Sequence, residues 1–395
     1  MINPLFISPE YLSDDVNGTI ERLFINALNH NKFEPTVLCC KSSTREDGLN
    51  HVIAIKRNYE VAKFENKHYK SLKLPDGYFL SWFIRCILFF LFNKNHFKID
   101  YIHTYSVPYT THILGYYLKK LLKVKWVVQF YEPWSDNMYL NLDALPKYKK
   151  KVQRWEGLIA ENADLIIHNS EIAKERWISK YGANSKVKSL NLPFNPKILG
   201  NNIDISFFNT GDVIITHIGN LYNLRKGKDV ILGASRFRDS HPELFPKLKV
   251  FFIGKIQNED RNLVASLNLE DTIIMLGSKT EEECLPYFVR SDAFISIDGE
   301  GQGLLFFPSK LIKYYYFKKP ILGITDLGSV LDKELKNTNH TSIRHNEPGM
   351  ICDFFYNLFT SRDSLYKFDK DAWKRFEVSC VVSDYEKLLI DNQIL

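Results

Sequence analysis

What this sequence does not contain excludes several common architectures. Its six cysteines are Cys39, Cys40, Cys86, Cys284, Cys352 and Cys380; no two form a C-x-x-C pair, and no histidine cluster stands at metal-ligand spacing. That excludes zinc modules and disulfide scaffolds, and scattered thiols of this kind read as reduced, buried cysteines of a cytosolic protein. The opening Met1-Ile-Asn-Pro-Leu-Phe-Ile-Ser-Pro9 lacks a basic leader and a long apolar stretch, so secretion is not expected and the segment reads as a first strand. No zinc-finger, RRM, KH or basic-zipper signature is present, which removes nucleic acid from the expected partners. No internal repeat or low-complexity tract appears. No Asp-x-Asp pair stands at the end of a predicted strand, so neither a metal nor any other cofactor is expected. The most apolar run, Tyr78–Phe92, covers 15 residues and is interrupted by Arg85; a membrane-spanning helix needs about 20.

What is present is a soluble composition, 45% apolar and 25% charged over 395 residues. That length suits two domains of nearly two hundred residues each. Charge is divided unevenly. Residues 1–200 hold 28 of the 52 basic and 19 of the 46 acidic residues, leaving +9 there and −3 beyond. A basic first half admits anionic lipid headgroups as a partner. The run 78–92 then has two readings: a buried helix of the first domain, or an interfacial helix dipping into one leaflet with Lys94, His96 and Lys98 at the headgroups. The second reading predicts peripheral attachment to the cytoplasmic face of the inner membrane. The basic runs Lys119/Lys120/Lys123/Lys125 and Lys147/Lys149/Lys150/Lys151 add to it.

Strand and helix patterns alternate along the chain. Strands are predicted at 4–8, 36–40, 52–55, 101–104, 126–130 and 165–167, with helices at 18–29, 112–123, 148–163 and 173–181. The turn-rich stretch Pro193–Asn202 reads as a linker. A second series follows, with strands at 213–218, 249–253, 273–276, 293–297 and 320–324. Short β-branched runs separated by helices imply parallel sheets covered on both faces. The expected fold is α/β: two doubly wound, Rossmann-like domains in tandem (1–195 and 196–370) that face a shared cleft. Residues 371–395 form a terminal helix packing back on the first domain.

The second half carries the motifs. After the strand at 213–218 comes Gly219-Asn-Leu-Tyr-Asn-Leu-Arg-Lys-Gly-Lys-Asp229, then a helix. Gly219 permits a close turn, and Arg225 and Lys226 project from a loop before a helix N-terminus, which favours anions. Further on, the strand ending at Asp298 runs into a glycine-rich loop, Gly299-Glu-Gly301-Gln-Gly303, and Pro308-Ser309-Lys310 opens the next helix. Ser309 is expected to cap that helix while Lys310 supplies a point charge. Cations converging from successive strand ends suit a diphosphate.

The strings "THIGNLYNLRKG", "VFFIGK", "LGSKTEEECLPYFVRSDAFISID" and "FFPSKLIKYYYFKKPILGIT" resemble the C-terminal domain of family-four retaining glycosyltransferases of the bacterial polysaccharide-biosynthesis type, which have the GT-B fold. In the first half, "PLFISPEYLSDDVNGTIERLF", "YIHTYSVPYTTHILGYYLKK", "WVVQFYEPWSDN" and "ADLIIHNSEIAKERWISKYG" agree with it. The resemblance implies retaining transfer of a hexose-type sugar from a nucleotide diphosphate sugar to a glycan or lipid-linked acceptor, without a metal, in surface polysaccharide synthesis. It implies that Arg225, Lys226 and Lys310 neutralise the departing diphosphate. Gly18, Gly219, Asn220, Gly299, Gly301 and Ser309 would lie against the donor. Glu132, in Glu-Pro-Trp, would meet donor sugar or acceptor, and Glu300 or Asp298 the sugar hydroxyls. One departure stands out: Lys313 occupies the position where family members usually carry a ribose-binding acid. Either it turns outward, the reading favoured by three cations already at one diphosphate, or it adds a further cation to the phosphates. It also motivates a rival reading, a degenerate binding subunit without turnover. A GT-B sugar-nucleotide epimerase is a second rival.

Overall fold

The computed structural model describes residues 1–41, 51–182, 185–196, 203–301 and 304–395. Gly303 of the predicted glycine loop and residues 197–202 of the predicted linker lie outside the described residues. The chain divides into a first unit, Met1–Asn195 with Phe376–Leu395, and a second, Pro196–Arg375.

In the first unit the apolar runs become β1 (Pro4–Ile7), β2 (Thr36–Cys40), β3 (Val52–Ile55), β4 (Tyr101–Tyr105), β5 (Lys125–Phe130), β6 (Leu165–His168) and β7 (Val187–Ser189). They pair in parallel in the order β3-β2-β1-β4-β5-β6-β7. Order reverses between β1 and β4, and open sheets of this kind take ligands at the strand ends beside such a reversal. The helices are α1 (Val16–Ala27), α2 (Tyr59–Leu72), α3 (Ile84–Asn93), α4 (Thr110–Leu122), α5 (Pro146–Asn162) and α6 (Glu171–Tyr181). Side-chain caps start three of them: Asp15 accepts from the Gly18 amide, Asn58 from that of Val61 and Ser170 from that of Ala173, filling donors a helix leaves open. Leu5, Ile7, Leu38, Ile102, Trp126, Val128 and Ile166 sit in the core.

The second unit has β8 (Val213–Ile218), β9 (Leu248–Ile253), β10 (Ile273–Gly277), β11 (Ala293–Ile297), β12 (Ile321–Ile324) and β13 (Thr341–Ile343). Their order is β10-β9-β8-β11-β12-β13, again all parallel, with the reversal between β8 and β11. Around them lie α7 (Lys228–Ser240), α8 (Asn258–Ser266), α9 (Glu281–Arg290), α10 (Lys310–Phe317), α11 (Val330–Asn337), α12 (Pro348–Thr360) and the short α13 (Arg362–Leu365). The loops leaving β8 and β9 touch. Gly254 has φ of +135°, and a Cβ there would lie 2.2 Å from the Gly219 carbonyl oxygen, so only glycine fits.

The chain then returns to the first unit as α14 (Val378–Asp391). Phe194 N–H donates to the Phe376 carbonyl at 2.6 Å, and Val378 N–H to the Phe194 carbonyl at 2.9 Å. Tyr385 of α14 reaches the sheet: its hydroxyl lies 2.7 Å from His103 Nδ1 and 3.1 Å from the Tyr101 hydroxyl. All predicted strands form, with ends within one residue of those observed; β7 and β13 are additional.

Candidate active site

The second unit gathers its candidate residues at the sheet reversal. β8 leaves its sheet at Gly219, whose N–H donates to the Ile253 carbonyl at 2.8 Å. Asn220 Oδ1 then accepts from the Lys255 amide at 2.9 Å, tying the loop to the end of β9. Arg225 follows, its guanidinium 5.4 Å from the Tyr222 ring centre and 3.9 Å from Asp298 Oδ1. Asp298 directly follows β11 and is 1% exposed. Its other oxygen accepts from Thr325 Oγ1 at 2.9 Å. Burial pushes the Asp298 carboxyl up to about 6, while Arg225 and the Thr325 hydroxyl pull it back. A mostly ionised, buried carboxylate thus holds a guanidinium at the strand ends.

Lys310 reaches the same place from α10. One turn on, Tyr314 is buried flat against Phe294, ring centres 4.4 Å apart, and its hydroxyl accepts from the Ile218 amide at 2.9 Å. This pins the first turn of α10 to the end of β8. A Cβ built on Gly219 would lie 3.6 Å from Lys310 Nζ and 3.0 Å from His217 Nε2, so the absent side chain leaves room at a meeting of three groups. Lys310 is exposed to solvent, yet the protein around its ammonium lowers its pKa, with Arg225 and Lys313 adding to the shift and Cys284 opposing it. His217 is buried, and burial pushes it down to about 3. Neutral at pH 7, it places Nδ1 3.0 Å from the Ile295 carbonyl oxygen, which assigns the proton to Nδ1.

The glycine loop is braced from the neighbouring strand ends. Gly301, at φ +69°, donates its N–H to Asp326 Oδ2 at 2.8 Å. Glu300 Oε1 accepts from Asn346 Nδ2 at 3.1 Å, and the Asn346 amide donates to Asp229 Oδ2 at 3.0 Å. Gly299 is buried and Glu300 exposed.

In the first unit, Gly18 sits in the first turn of α1. A Cβ there would fall 2.1 Å from the Glu10 carbonyl oxygen, so close packing of the helix on its loop accounts for the glycine. Glu132 follows β5 and accepts from Asn137 Nδ2 at 3.2 Å. Its loop is held by Trp134, stacked between Tyr109 at 4.5 Å and Trp155 at 5.3 Å. The Tyr109 hydroxyl donates to the Pro133 carbonyl at 2.7 Å.

Comparison with known proteins bears on the fold and the family. The family model described as Glycosyltransferase Family 4 matches residues 22–192. The first unit therefore carries a family-four glycosyltransferase domain. Solved structures match the whole chain at low identity and show the GT-B fold. HepE of Anabaena, in complex with UDP and glucose, aligns over 99% of this chain and 100% of its own at a TM-score of 0.69 and 12% identity. Sucrose-phosphate synthase from Thermosynechococcus elongatus aligns over 99% of both chains at 0.72 and 12%. The α,α-trehalose 6-phosphate synthase of Burkholderia multivorans aligns over 99% of this chain and 98% of its own at 0.68 and 10%. The search of curated proteins returned no match. The chain is a glycosyltransferase with the GT-B fold.

Three expectations for this glycosyltransferase need correction. Lys226 does not share Arg225's environment: its Nζ lies 2.6 Å from Glu259 Oε2 of α8, in an exposed pair. Adjacent residues on a turn point apart, and α8 supplies the nearer carboxylate. Ser309 does not cap α10; its backbone is already helical (φ −53°, ψ −28°) and its hydroxyl makes no capping hydrogen bond. Lys313 does not turn free into solvent, because Glu281 of α9 holds its Nζ at 2.7 Å.

Other groups at these sites escaped the sequence reading. His217, Thr325, Asp326 and Asn346 in the second unit are isolated polar residues at strand ends, without a spacing to announce them. Near Gly18, Glu10 is pushed up to about 7, chiefly by burial and then by Asp15. Glu21, buried and hydrogen-bonded by Ser8, is raised well above the carboxylate range by the same burial.

Proposed function

We propose that this glycosyltransferase moves a hexose-type sugar, with retention, from a nucleotide diphosphate sugar to a glycan or lipid-linked acceptor. Its setting is surface polysaccharide synthesis at the cytoplasmic face of a membrane. The observation that carries the donor half is the grouping of Arg225, Lys310 and Gly219 where the strand order of the second unit reverses. HepE, similar over its full length, was solved with UDP-glucose, which supports a nucleotide sugar in the same kind of frame.

The chemistry follows from charge. As the glycosidic bond breaks, negative charge grows on the β-phosphate. Arg225 and Lys310 neutralise it in place, and the buried carboxylate of Asp298 keeps the guanidinium oriented before the substrate arrives. Because these cations supply charge a metal would otherwise bring, turnover proceeds without one. Glu300 contacts sugar hydroxyls, and Glu132 contacts donor sugar or acceptor. The acceptor attacks from the face the diphosphate leaves, so no enzymic nucleophile is assigned.

Thermal unfolding in the presence of UDP-, GDP- and dTDP-sugars tests the reading. A donor at 100 times its Kd stabilises by about 2.7 kcal/mol, and one member of the panel should raise Tm while its sugar appears on an acceptor. If no nucleotide sugar shifts Tm, the chain is a binding subunit without turnover. Isomerised donor formed without acceptor points instead to an epimerase.

A further inference from the structure

The segment 78–92 folds with two unlike faces. A π-helical turn, Phe79–Phe83, runs into α3, and Trp82, Phe83, Cys86 and Phe90 are buried against the first unit's core. On the other side Ile84, Leu88, Leu91 and Phe92 stand out in solvent at 44, 49, 49 and 81% exposure. Their spacing of four, three and one makes a continuous stripe along the helix. Beside the stripe, α3 and α4 enclose an open groove of about 310 Å³ lined by Phe79, Phe83, Ile87, Leu91, Tyr117 and Leu121. No polar side chain other than the Tyr117 hydroxyl enters that lining.

Cations gather at one end of the two helices. Lys94 and His96 follow α3 directly, with Lys98 two residues on. Lys120 lies in the last turn of α4, its Nζ 4.1 Å from the Tyr116 ring centre, and Lys123 caps that helix. A shallow depression there is lined by Lys119, Lys120, Lys123 and Lys125, with Asp100 and Asp164 as its acids. Both acids are already engaged: Asp164 with Lys119 at 2.6 Å and Asp100 with the Asn3 amide at 2.7 Å. Among the described residues Lys94, Lys98, Lys120 and Lys123 make no ion pair; the last three are exposed and Lys94 is half-buried. An apolar stripe beside uncompensated lysines is the arrangement that binds an anionic bilayer surface. Among the described residues no helix is long and apolar enough to cross one.

We infer that the α3–α4 face of the first unit docks on an anionic lipid bilayer. Ile84, Leu88, Leu91 and Phe92 enter the acyl region, the groove takes one acyl chain, and Lys94, Lys98, Lys120 and Lys123 meet the headgroups. The inference rests on the proposed function only for its biological setting, a lipid-linked acceptor at a membrane surface. The docking itself needs no nucleotide sugar.

Flotation of the full chain with vesicles tests it. The protein should float with phosphatidylglycerol/phosphatidylethanolamine vesicles in low salt. Binding should fall at least tenfold in 0.5 M NaCl and again on pure phosphatidylcholine. L88S/F92S changes two exposed side chains and should lose at least tenfold in flotation. It should keep its circular dichroism and its transfer rate to a water-soluble acceptor. K120E/K123E should lose binding to the anionic vesicles only. No flotation by the wild type, or unchanged flotation by L88S/F92S, overturns the docking face. A wild-type dimer that L88S/F92S turns into a monomer, with no vesicle binding by either, assigns the stripe to a second copy and also overturns it. Flotation without sugar transfer leaves the docking standing and removes the proposed function; transfer without flotation does the reverse.

Discussion

Lys313 Nζ lies 2.7 Å from Glu281 Oε1, joining α10 to α9 through an ion pair one turn beyond Lys310. The pair commits the ammonium to a carboxylate of the neighbouring helix. On the proposed reading, phosphate charge is then left to Arg225 and Lys310. Lys313→Met should keep donor affinity within about threefold, and the charge swap K313E/E281K should hold or improve it. The ceiling on that gain is the roughly 1.5–3 kcal/mol of a charged hydrogen bond. Isothermal titration against the donor decides. A loss in Lys313→Met as large as in Lys310→Ala would make Lys313 a phosphate ligand.

Removing either of the cations proposed to meet the diphosphate should abolish most turnover without unfolding the protein. Arg225→Ala and Lys310→Ala are each expected to lower kcat by about 10²–10³, equivalent to about 2.7–4 kcal/mol of transition-state stabilisation. Lys310 is exposed, so Lys310→Ala should keep its circular dichroism and Tm near wild type; Arg225→Ala strips the buried Asp298 carboxylate of its cation and should lower Tm while the fold persists. Near-normal transfer by either variant would sink the assignment. Lys226→Ala, by contrast, removes only an exposed pair with Glu259 and should cost little.

Turnover is expected to survive EDTA. Two cations converge on the proposed diphosphate position, and Asp298 is occupied by Arg225. The check is transfer measured before and after chelation. Complete loss, restored by Mg²⁺ or Mn²⁺, would overturn the proposed charge arrangement.

The dependence of stability on pH should be level and then steep. Burial pushes His103, His168, His217 and His340 down to about 3 and His112 well below the histidine range. Lowered imidazole pKa values mean that stability is lost as pH falls below about 6.5, where the unfolded chain gains protons first. Burial also raises Glu10 to about 7, Asp76 and Asp298 to about 6, and Glu21 well above its usual range. Raised carboxyls act in the opposite sense: the folded state takes up their protons first, so stability is gained as pH falls from about 7 to 4.5. The two sets act in opposite directions between pH 6.5 and 4.5. Below about pH 4 the carboxyls are protonated in both states, and the imidazoles go on costing stability until the folded chain protonates them near pH 3. Calorimetric Tm should therefore change little to pH 4.5 and collapse below 4. A steady decline starting at 6.5 would show that the carboxyls are not held protonated.

The legible parts of this protein were those written in consecutive residues. Runs such as Val213–Ile218 and Ala293–Ile297 are apolar throughout because both faces of a parallel strand are buried. The unannounced strands are Val187-Lys-Ser189 and Thr341-Ser-Ile343, three residues each at a sheet edge, where half-polar sequence suffices. Helix α2 was equally silent: of its 14 residues only Ala62 and Glu65 are buried, so no apolar stripe marks it. At the site, Arg225 and Lys310 could be read because a glycine turn and a helix start stand beside each. The partners of Lys226 and Lys313 lie 33 and 32 residues away on other helices, and distance along the chain hides such pairs. Ser309 had a capping side chain but not the extended backbone that capping needs.

The two hydrogen bonds that join Phe194 to Phe376 and Val378 also fix how the chain is threaded. Residues 196–375 leave the first unit and come back to it at neighbouring backbone positions, so the second unit is an insert and the first unit is its host. Both termini belong to the host. A fluorophore, affinity tag or pulling handle on either end therefore reports on the host alone, and a signal from the insert has to be placed within its own sequence.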